Sequence, residues 1–176
     1  YYHYYFHHFY HYIVFLFFLC LLFLLLMNFF NQLFLGDGGS YSIGFFLAVL
    51  LIDIYTSNVY KISPYFIILL LWYPCFENLF SIVRKSKRNF SPTEPDNDHL
   101  HHLLFNFLSR KFNSNKKIYA NNTSSITINI YNLIIFLFAS QYIGNTLIQI
   151  SLIFFNISIY LIIYYVLLRH KNYYLK

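Results

Sequence analysis

Five long apolar runs constrain what this chain can fold into. The first is uninterrupted from Ile13 to Met27, and with the tyrosines before it reaches the length that crosses a ~30 Å hydrocarbon core. Only 10% of the residues are charged, against about a quarter in soluble domains. The sequence therefore predicts an all-α, polytopic membrane bundle that forms one domain. Its five spans are expected at about 10–30, 41–55, 62–83, 126–144 and 147–168, with a polar loop over 84–125.

The basic residues predict how this bundle is oriented. Of twelve Lys and Arg residues, eight lie in the 84–125 loop and three in the C-terminal tail, which leaves Lys61. The positive-inside rule then puts the loop and the tail on the cytoplasmic side of an inner (cytoplasmic) membrane. The net charge of +6 suits anionic lipid and a phosphorylated substrate, so no nucleic acid partner is needed to explain it.

A polar island at 91–102, Ser-Pro-Thr-Glu-Pro-Asp-Asn-Asp-His-Leu-His-His, carries three of the six acidic residues and three of the eight histidines. If the chain is helical from Asp98, His99 and His102 share a face and His101 points elsewhere. Such imidazoles can bind Zn²⁺. They can also contact a diphosphate and move protons near neutral pH.

A second island, Gly36-Asp37-Gly38-Gly39-Ser40, predicts a glycine-rich turn before a helix that begins near Tyr41. Glycine tolerates positive φ and lets a ligand approach the backbone. The amides of a helix N-terminus favour an anion, and a carboxylate beside them suits Mg²⁺. A simple tight turn is the alternative interpretation.

The third run contains Pro74, which predicts a kink, and Glu77, which lies near the cytoplasmic end of that run. An ionisable residue at this depth is a candidate site residue. Alternatively, Glu77 is a helix-end carboxylate that reaches Arg84 or Lys85.

Both islands resemble motifs of one family, the polyprenyl-phosphate N-acetylhexosamine-1-phosphate transferases. Residues 34–40, Phe-Leu-Gly-Asp-Gly-Gly-Ser, are similar to the family's Phe-Met/Leu-Gly-Asp-x-Gly-Ser segment, and Asn28-Phe29 resembles its Phe-x-x-Asn-Phe approach. Residues 91–102 resemble its Ser-Pro-Phe-x-x-Asp-Arg-x-His-Leu-His-His loop. The resemblance covers about 24–108, with two apolar runs between the motifs.

The resemblance implies transfer of a sugar-1-phosphate from a UDP-N-acetylhexosamine to polyprenyl (undecaprenyl) phosphate. This reaction releases UMP, requires Mg²⁺ and initiates a lipid-linked surface glycan such as O-antigen or a cell-wall polymer. By match, Asp37 is catalytic and binds Mg²⁺, and the histidine cluster is catalytic: His99, His101 and His102. The substrate-binding positions implied are Asn28, Gly36, Gly38, Ser40 and Asp96.

The chain departs from the family pattern in two ways. Asn97 stands where the family usually has Arg, and Thr93 where Phe is common. The family's paired aspartates are expected before the Gly-Asp motif, and the 36 residues that precede Asp37 contain no Asp. The resemblance thus implies a C-terminal half, which we expect to be inactive alone. The alternatives are a non-catalytic respiratory-complex subunit and a His-rich metal- or haem-binding membrane protein.

Overall fold

The computed structural model describes residues 2–30, 32–87, 98–111 and 117–173, with side chains from residue 12 onward. These residues form seven helices. They are α1 (Tyr2–Phe29), α2 (Gly36–Thr56), α3 (Pro64–Leu70), α4 (Trp72–Lys87), α5 (Leu100–Lys111), α6 (Lys117–Ser140) and α7 (Thr146–Tyr173). The chain forms two compact units, Tyr1–Leu50 and Leu51–Lys176.

Four of the described helices, α1, α2, α6 and α7, are long and apolar enough to cross a membrane. The pair α3 and α4 passes the same test together and counts as a fifth span if the bent pair crosses once. The apolar side chains of α1 and α2 are largely exposed, as expected of helices whose solvent is lipid. The predicted all-α, polytopic membrane fold is therefore confirmed.

The bend between α3 and α4 measures 69° and falls at Leu71, three residues before Pro74. Proline has no N–H, and its ring clashes with the carbonyl four residues earlier, which here belongs to Leu70. The helix accordingly ends at Leu70 and restarts at Trp72. The kink predicted from Pro74 is therefore present. It lies at Leu71, next to the residue whose carbonyl the proline ring would clash with.

The segment expected to be a polar loop over 84–125 is helical in much of its described part. Helix α4 continues to Lys87, α5 occupies 100–111, and α6 begins at Lys117 instead of near 126. The apolar residues of α5 recur at i, i+3, i+4 and i+7, the period of an amphipathic helix. They are Leu100, Leu103, Leu104 and Phe107. This apolar face packs against α6 and α7.

Unit 51–176 has one core, to which α3, α4, α5, α6 and α7 contribute buried residues. Side-chain hydrogen bonds connect its helices, as two examples show. Trp72 Nε1 donates to Asn132 Oδ1 at 2.9 Å, and the Tyr131 hydroxyl donates to Asn156 Oδ1 at 2.5 Å. A membrane interior offers no water to polar groups, so such bonds both satisfy them and fix how the helices meet.

The short α6–α7 connection packs against the segment before α3. The Ser63 N–H donates to the Ile143 carbonyl at 2.9 Å, and the Ser63 and Thr146 hydroxyls lie 3.1 Å apart. A Cβ at Gly144 would lie 2.9 Å from the Lys61 carbonyl oxygen. The close approach of two backbones therefore requires glycine at this position.

Candidate functional site

Glu77 joins α4 to the start of α5. The residue is 6% exposed, and it lies on the buried face of α4 with Ser81 and Arg84. Its Oε1 atom accepts a hydrogen bond from the Leu100 N–H at 3.0 Å and lies 3.0 Å from His99 Nδ1. The carboxylate thus points toward the histidine segment. The alternative interpretation, in which Glu77 contacts Arg84 or Lys85, is not supported by the contacts of the described residues.

The Glu77 carboxylate also caps α5. The first N–H groups of a helix have no partner within it, and a negative charge beside them is favourable. The His99 carbonyl accepts from the Leu103 N–H at 3.0 Å, so His99 directly precedes the first turn. Glu77 satisfies the N–H of the next residue, Leu100, from a separate helix.

The three histidines form one imidazole cluster, which we define as His99, His101 and His102. The ring centroids of His101 and His102 are 4.1 Å apart, and those of His99 and His101 are 5.6 Å apart in a stacked arrangement. His99 and His102 are 6.2 Å apart. The expectation that His101 points elsewhere is wrong, because His99 precedes the helix and does not follow its 3.6-residue period.

The environment of the cluster changes the proton affinity of His101. Partial burial of its ring lowers the pKa of His101 below its ordinary value, although the residue as a whole remains exposed. Positive charge on His102 or His99 lowers this pKa further, whereas the Glu77 carboxylate opposes the shift. The imidazole of His101 therefore favours its neutral form, which can accept a proton.

Two further contacts surround this site. Lys171 Nζ, in the last turn of α7, lies 2.5 Å from Asp98 Oδ1, just before the cluster. On the buried side, Tyr73 and Tyr160 interact electrostatically with Glu77. The Tyr73 and Tyr160 hydroxyls and Glu77 Oε2 are buried together, and both hydroxyls lie close enough to the carboxylate to hydrogen-bond with it after a small adjustment. One carboxylate oxygen, Oε1, therefore contacts the histidine segment, and the other, Oε2, is buried on the side of the two tyrosines.

The Gly-Asp motif lies in unit 1–50 and differs from its predicted form. Helix α2 begins at Gly36, which has φ +63°, and Asp37 is exposed in its first turn. Gly38 and Ser40 are helical. Of the five residues predicted to form a turn, only Gly36 therefore has a non-helical backbone conformation. The Ser40 hydroxyl donates to the Asp37 carbonyl at 2.9 Å. Upstream, Asn28 Nδ2 donates to the Leu33 carbonyl at 3.3 Å.

The structure brings some of the predicted site residues together. His99, His101 and His102 meet in unit 51–176, whereas Asp37 and its neighbours belong to unit 1–50. Asp96 lies outside the described residues. Lys171 was not anticipated, because nothing in the sequence near the histidines indicates a contact 73 residues away. The sequence indicated Glu77 as a candidate site residue only from its expected depth in the membrane, and it did not predict the contact with His99.

The donor set for Mg²⁺ is incomplete among the residues that the structure describes. They contain no group of three or more His, Cys, Asp or Glu that could hold a metal ion. Asp37 offers one carboxylate, whereas Mg²⁺ demands octahedral oxygen coordination. These residues alone therefore do not form a Mg²⁺ site, and the described histidines are likewise not arranged as a Zn²⁺ site.

Comparison with known proteins gives one consistent similarity. The chain is 32% identical over 82 residues to the undecaprenyl-phosphate alpha-N-acetylglucosaminyl 1-phosphate transferase of Salmonella typhi, and 30% identical over 82 residues to that of Escherichia coli. These matches cover 46% of this chain and 22% of each relative. A probable transferase of the same kind from Bacillus subtilis is 34% identical over 77 residues, 43% of this chain and 21% of its own length.

No family model and no solved structure matches the chain. The matched stretch spans about a fifth of the length of the curated relatives. Their shared name nevertheless agrees with the resemblance carried by the Gly-Asp motif and the histidine island. That resemblance is therefore confirmed: over 46% of its length, this membrane chain is similar to the undecaprenyl-phosphate N-acetylglucosaminyl-1-phosphate transferases.

Proposed function

We propose that this chain forms part of a polyprenyl-phosphate N-acetylhexosamine-1-phosphate transferase and supplies its histidine site. The observation that carries the proposal is the imidazole cluster, gathered by Glu77 at the N-terminus of α5. Three imidazoles beside a helix N-terminus suit the oxygens of a diphosphate. The names of the similar proteins support the reaction class, and the donor is a UDP-N-acetylhexosamine.

In the proposed reaction, a phosphate oxygen of the polyprenyl phosphate attacks the phosphorus bonded to the sugar oxygen. A new P–O bond forms, the P–O bond to the UMP moiety breaks, and UMP leaves with that electron pair. Within the imidazole cluster, His102 orients the diphosphate by donating an N–H bond to one of its oxygens. His101, whose lowered pKa favours the neutral form, accepts a proton from an incoming phosphate that is still protonated.

We further propose that Asp37 provides one Mg²⁺ ligand and that substrate phosphates and water provide others. A bound Mg²⁺ would neutralise charge on the diphosphate. Asn28, Gly36, Gly38, Ser40 and Asp96 remain proposed substrate-binding positions. The charge bias of the loops supports a multi-pass protein of the inner membrane with both motifs on the cytoplasmic side, where it initiates a lipid-linked surface glycan.

Because the resemblance implies paired aspartates before the Gly-Asp motif and no Asp precedes Asp37 in these 176 residues, we expect the chain alone to lack turnover. The test incubates the purified chain in lipid nanodiscs with UDP-GlcNAc, polyprenyl phosphate and MgCl₂, and measures UMP release. A complete transferase of the same class is the positive control. Robust turnover by the chain alone contradicts this expectation.

The site assignment is tested in a complete transferase that contains this segment. We expect Asp37→Asn and His101→Ala each to abolish turnover and to leave membrane insertion intact. Asp53→Asn is the matched control, because this exposed carboxylate lies near the other end of α2 from Asp37. Near wild-type activity of Asp37→Asn or His101→Ala refutes the assignment of that residue.

A further inference from the structure

The buried Glu77 carboxylate makes its two closest polar contacts with the histidine segment. Burying a charge costs free energy unless hydrogen bonds compensate for lost water. Both bonds go to Oε1, one from the start of α5 and one from the His99 imidazole. An uncharged acceptor would be enough to cap a helix, so a carboxylate here suggests a role that involves the imidazole.

The two bonds together decide where the His99 proton lies. An ionised carboxylate has no proton to donate, and Oε1 already accepts from the Leu100 N–H. The 3.0 Å contact with His99 therefore requires a hydrogen on Nδ1. In the neutral ring this leaves Nε2 as the basic nitrogen, on the side of the imidazole that faces away from Glu77.

We infer that Glu77 is a positioning residue, which holds His99 as its Nδ1–H tautomer and anchors the imidazole cluster to α4. The purpose of this role rests on the proposed function, since the oriented Nε2 would meet the nucleotide sugar or a reacting proton. Tyr73 and Tyr160 face the carboxylate from α4 and α7. Among the described residues, His99 contacts the titratable groups of Glu77, His101 and His102, and Lys171 reaches the preceding residue, Asp98, from α7.

The same bonds orient the whole cluster. His101 stacks on His99 with 16° between the ring planes, and His102 lies against His101. A ring fixed at His99 therefore limits the positions that the other two can take. A residue that acts only as a helix cap would affect the stability of α5 without deciding the tautomer of His99, which makes the tautomer the discriminating observable.

The test measures the tautomer directly by nitrogen NMR of the ¹⁵N-histidine-labelled full chain in nanodiscs, with His99→Gln to assign the signal. We expect protonated Nδ1 and unprotonated Nε2 in the neutral ring of the wild type. Glu77→Leu is expected to reverse this ratio toward the Nε2–H form that prevails in water. Asp53→Asn, the control carboxylate, is expected to leave it unchanged.

Two results overturn the inference: a predominantly Nε2–H His99 in the wild type, or an unaltered Nδ1–H majority in folded Glu77→Leu. If Glu77→Leu does not fold, Glu77→Gln replaces it. Its neutral amide is a weaker acceptor, so we expect at least a twofold larger Nε2–H share, and no change overturns the inference. These signals need neither substrate nor turnover, so they are read separately from the transferase assay.

Discussion

Lys171 of α7 and Asp98, two residues before α5, form an ion pair with 2.5 Å between Nζ and Oδ1. Both side chains are mostly buried, with 23% and 16% exposure. The pair links the last turn of α7 to the approach of the imidazole cluster, while Glu77 links α4 to the same place. Contacts from two helices therefore hold the histidine segment: α4, which precedes it in the sequence, and α7, which follows it.

Removal of this ion pair is expected to loosen the approach to α5. Lys171→Ala leaves the partly buried Asp98 carboxylate without that contact, and we expect a loss of about 1 kcal/mol in unfolding free energy. Circular dichroism during denaturation in detergent measures it. Lys61→Ala, which removes an exposed lysine, is the control. A Lys171→Ala variant as stable as the control shows that the pair contributes nothing.

The glycines at 44 and 144 are expected to respond oppositely to alanine. Gly44 lies within α2 with open space around its Cβ position, so Gly44→Ala should stabilise the helix by about 0.5–1 kcal/mol. A Cβ at Gly144 would lie 2.9 Å from the Lys61 carbonyl oxygen, so Gly144→Ala should destabilise the chain. Thermal unfolding in detergent compares the two, and equal shifts contradict the close backbone contact.

The Tyr131–Asn156 hydrogen bond is expected to hold α6 to α7. Asn156 is fully buried, and Tyr131→Phe deprives its carbonyl of the hydroxyl donor. Hydrogen bonds between membrane helices contribute about 0.6 kcal/mol on average and up to about 1.7, so we expect a loss in that range. Tyr142→Phe, at an exposed position, is the control for the change itself. Steric trapping in bicelles measures both.

His101 is expected to make the fold sensitive to acid. Its pKa is lowered in the folded chain, so the unfolded chain binds the proton more readily. The folded state therefore loses stability as the pH falls below about 6.5, the ordinary histidine value, and the loss continues until the pH is below the folded-state pKa.

His101→Gln should remove this part of the acid sensitivity. Melting temperatures at pH 7.5 and pH 5.5 should differ less in His101→Gln than in the wild type. His170→Gln is the control for loss of an imidazole elsewhere, since that ring packs on Phe107 at 4.9 Å. Identical pH responses of wild type and His101→Gln contradict the stated cause.

Local chemistry made several features predictable. The length of the apolar runs indicated the membrane helices, because each helix satisfies its own backbone in lipid. Pro74 indicated a break, because its ring excludes the carbonyl of Leu70. The spacing of the two polar islands indicated the transferase resemblance. Helix α5 was also predictable from the period of its apolar residues, but the neighbouring charges obscured that signal.

What the sequence determined by itself was the membrane class, the number of apolar runs and the composition of the two islands. Each of these depends on residues close together in the chain. Only the tertiary structure decided that Glu77 caps α5 and fixes His99, that the three imidazoles meet, and that Lys171 reaches Asp98. Such contacts depend on how helices pack, and packing is set by the shapes of buried faces from distant parts of the chain.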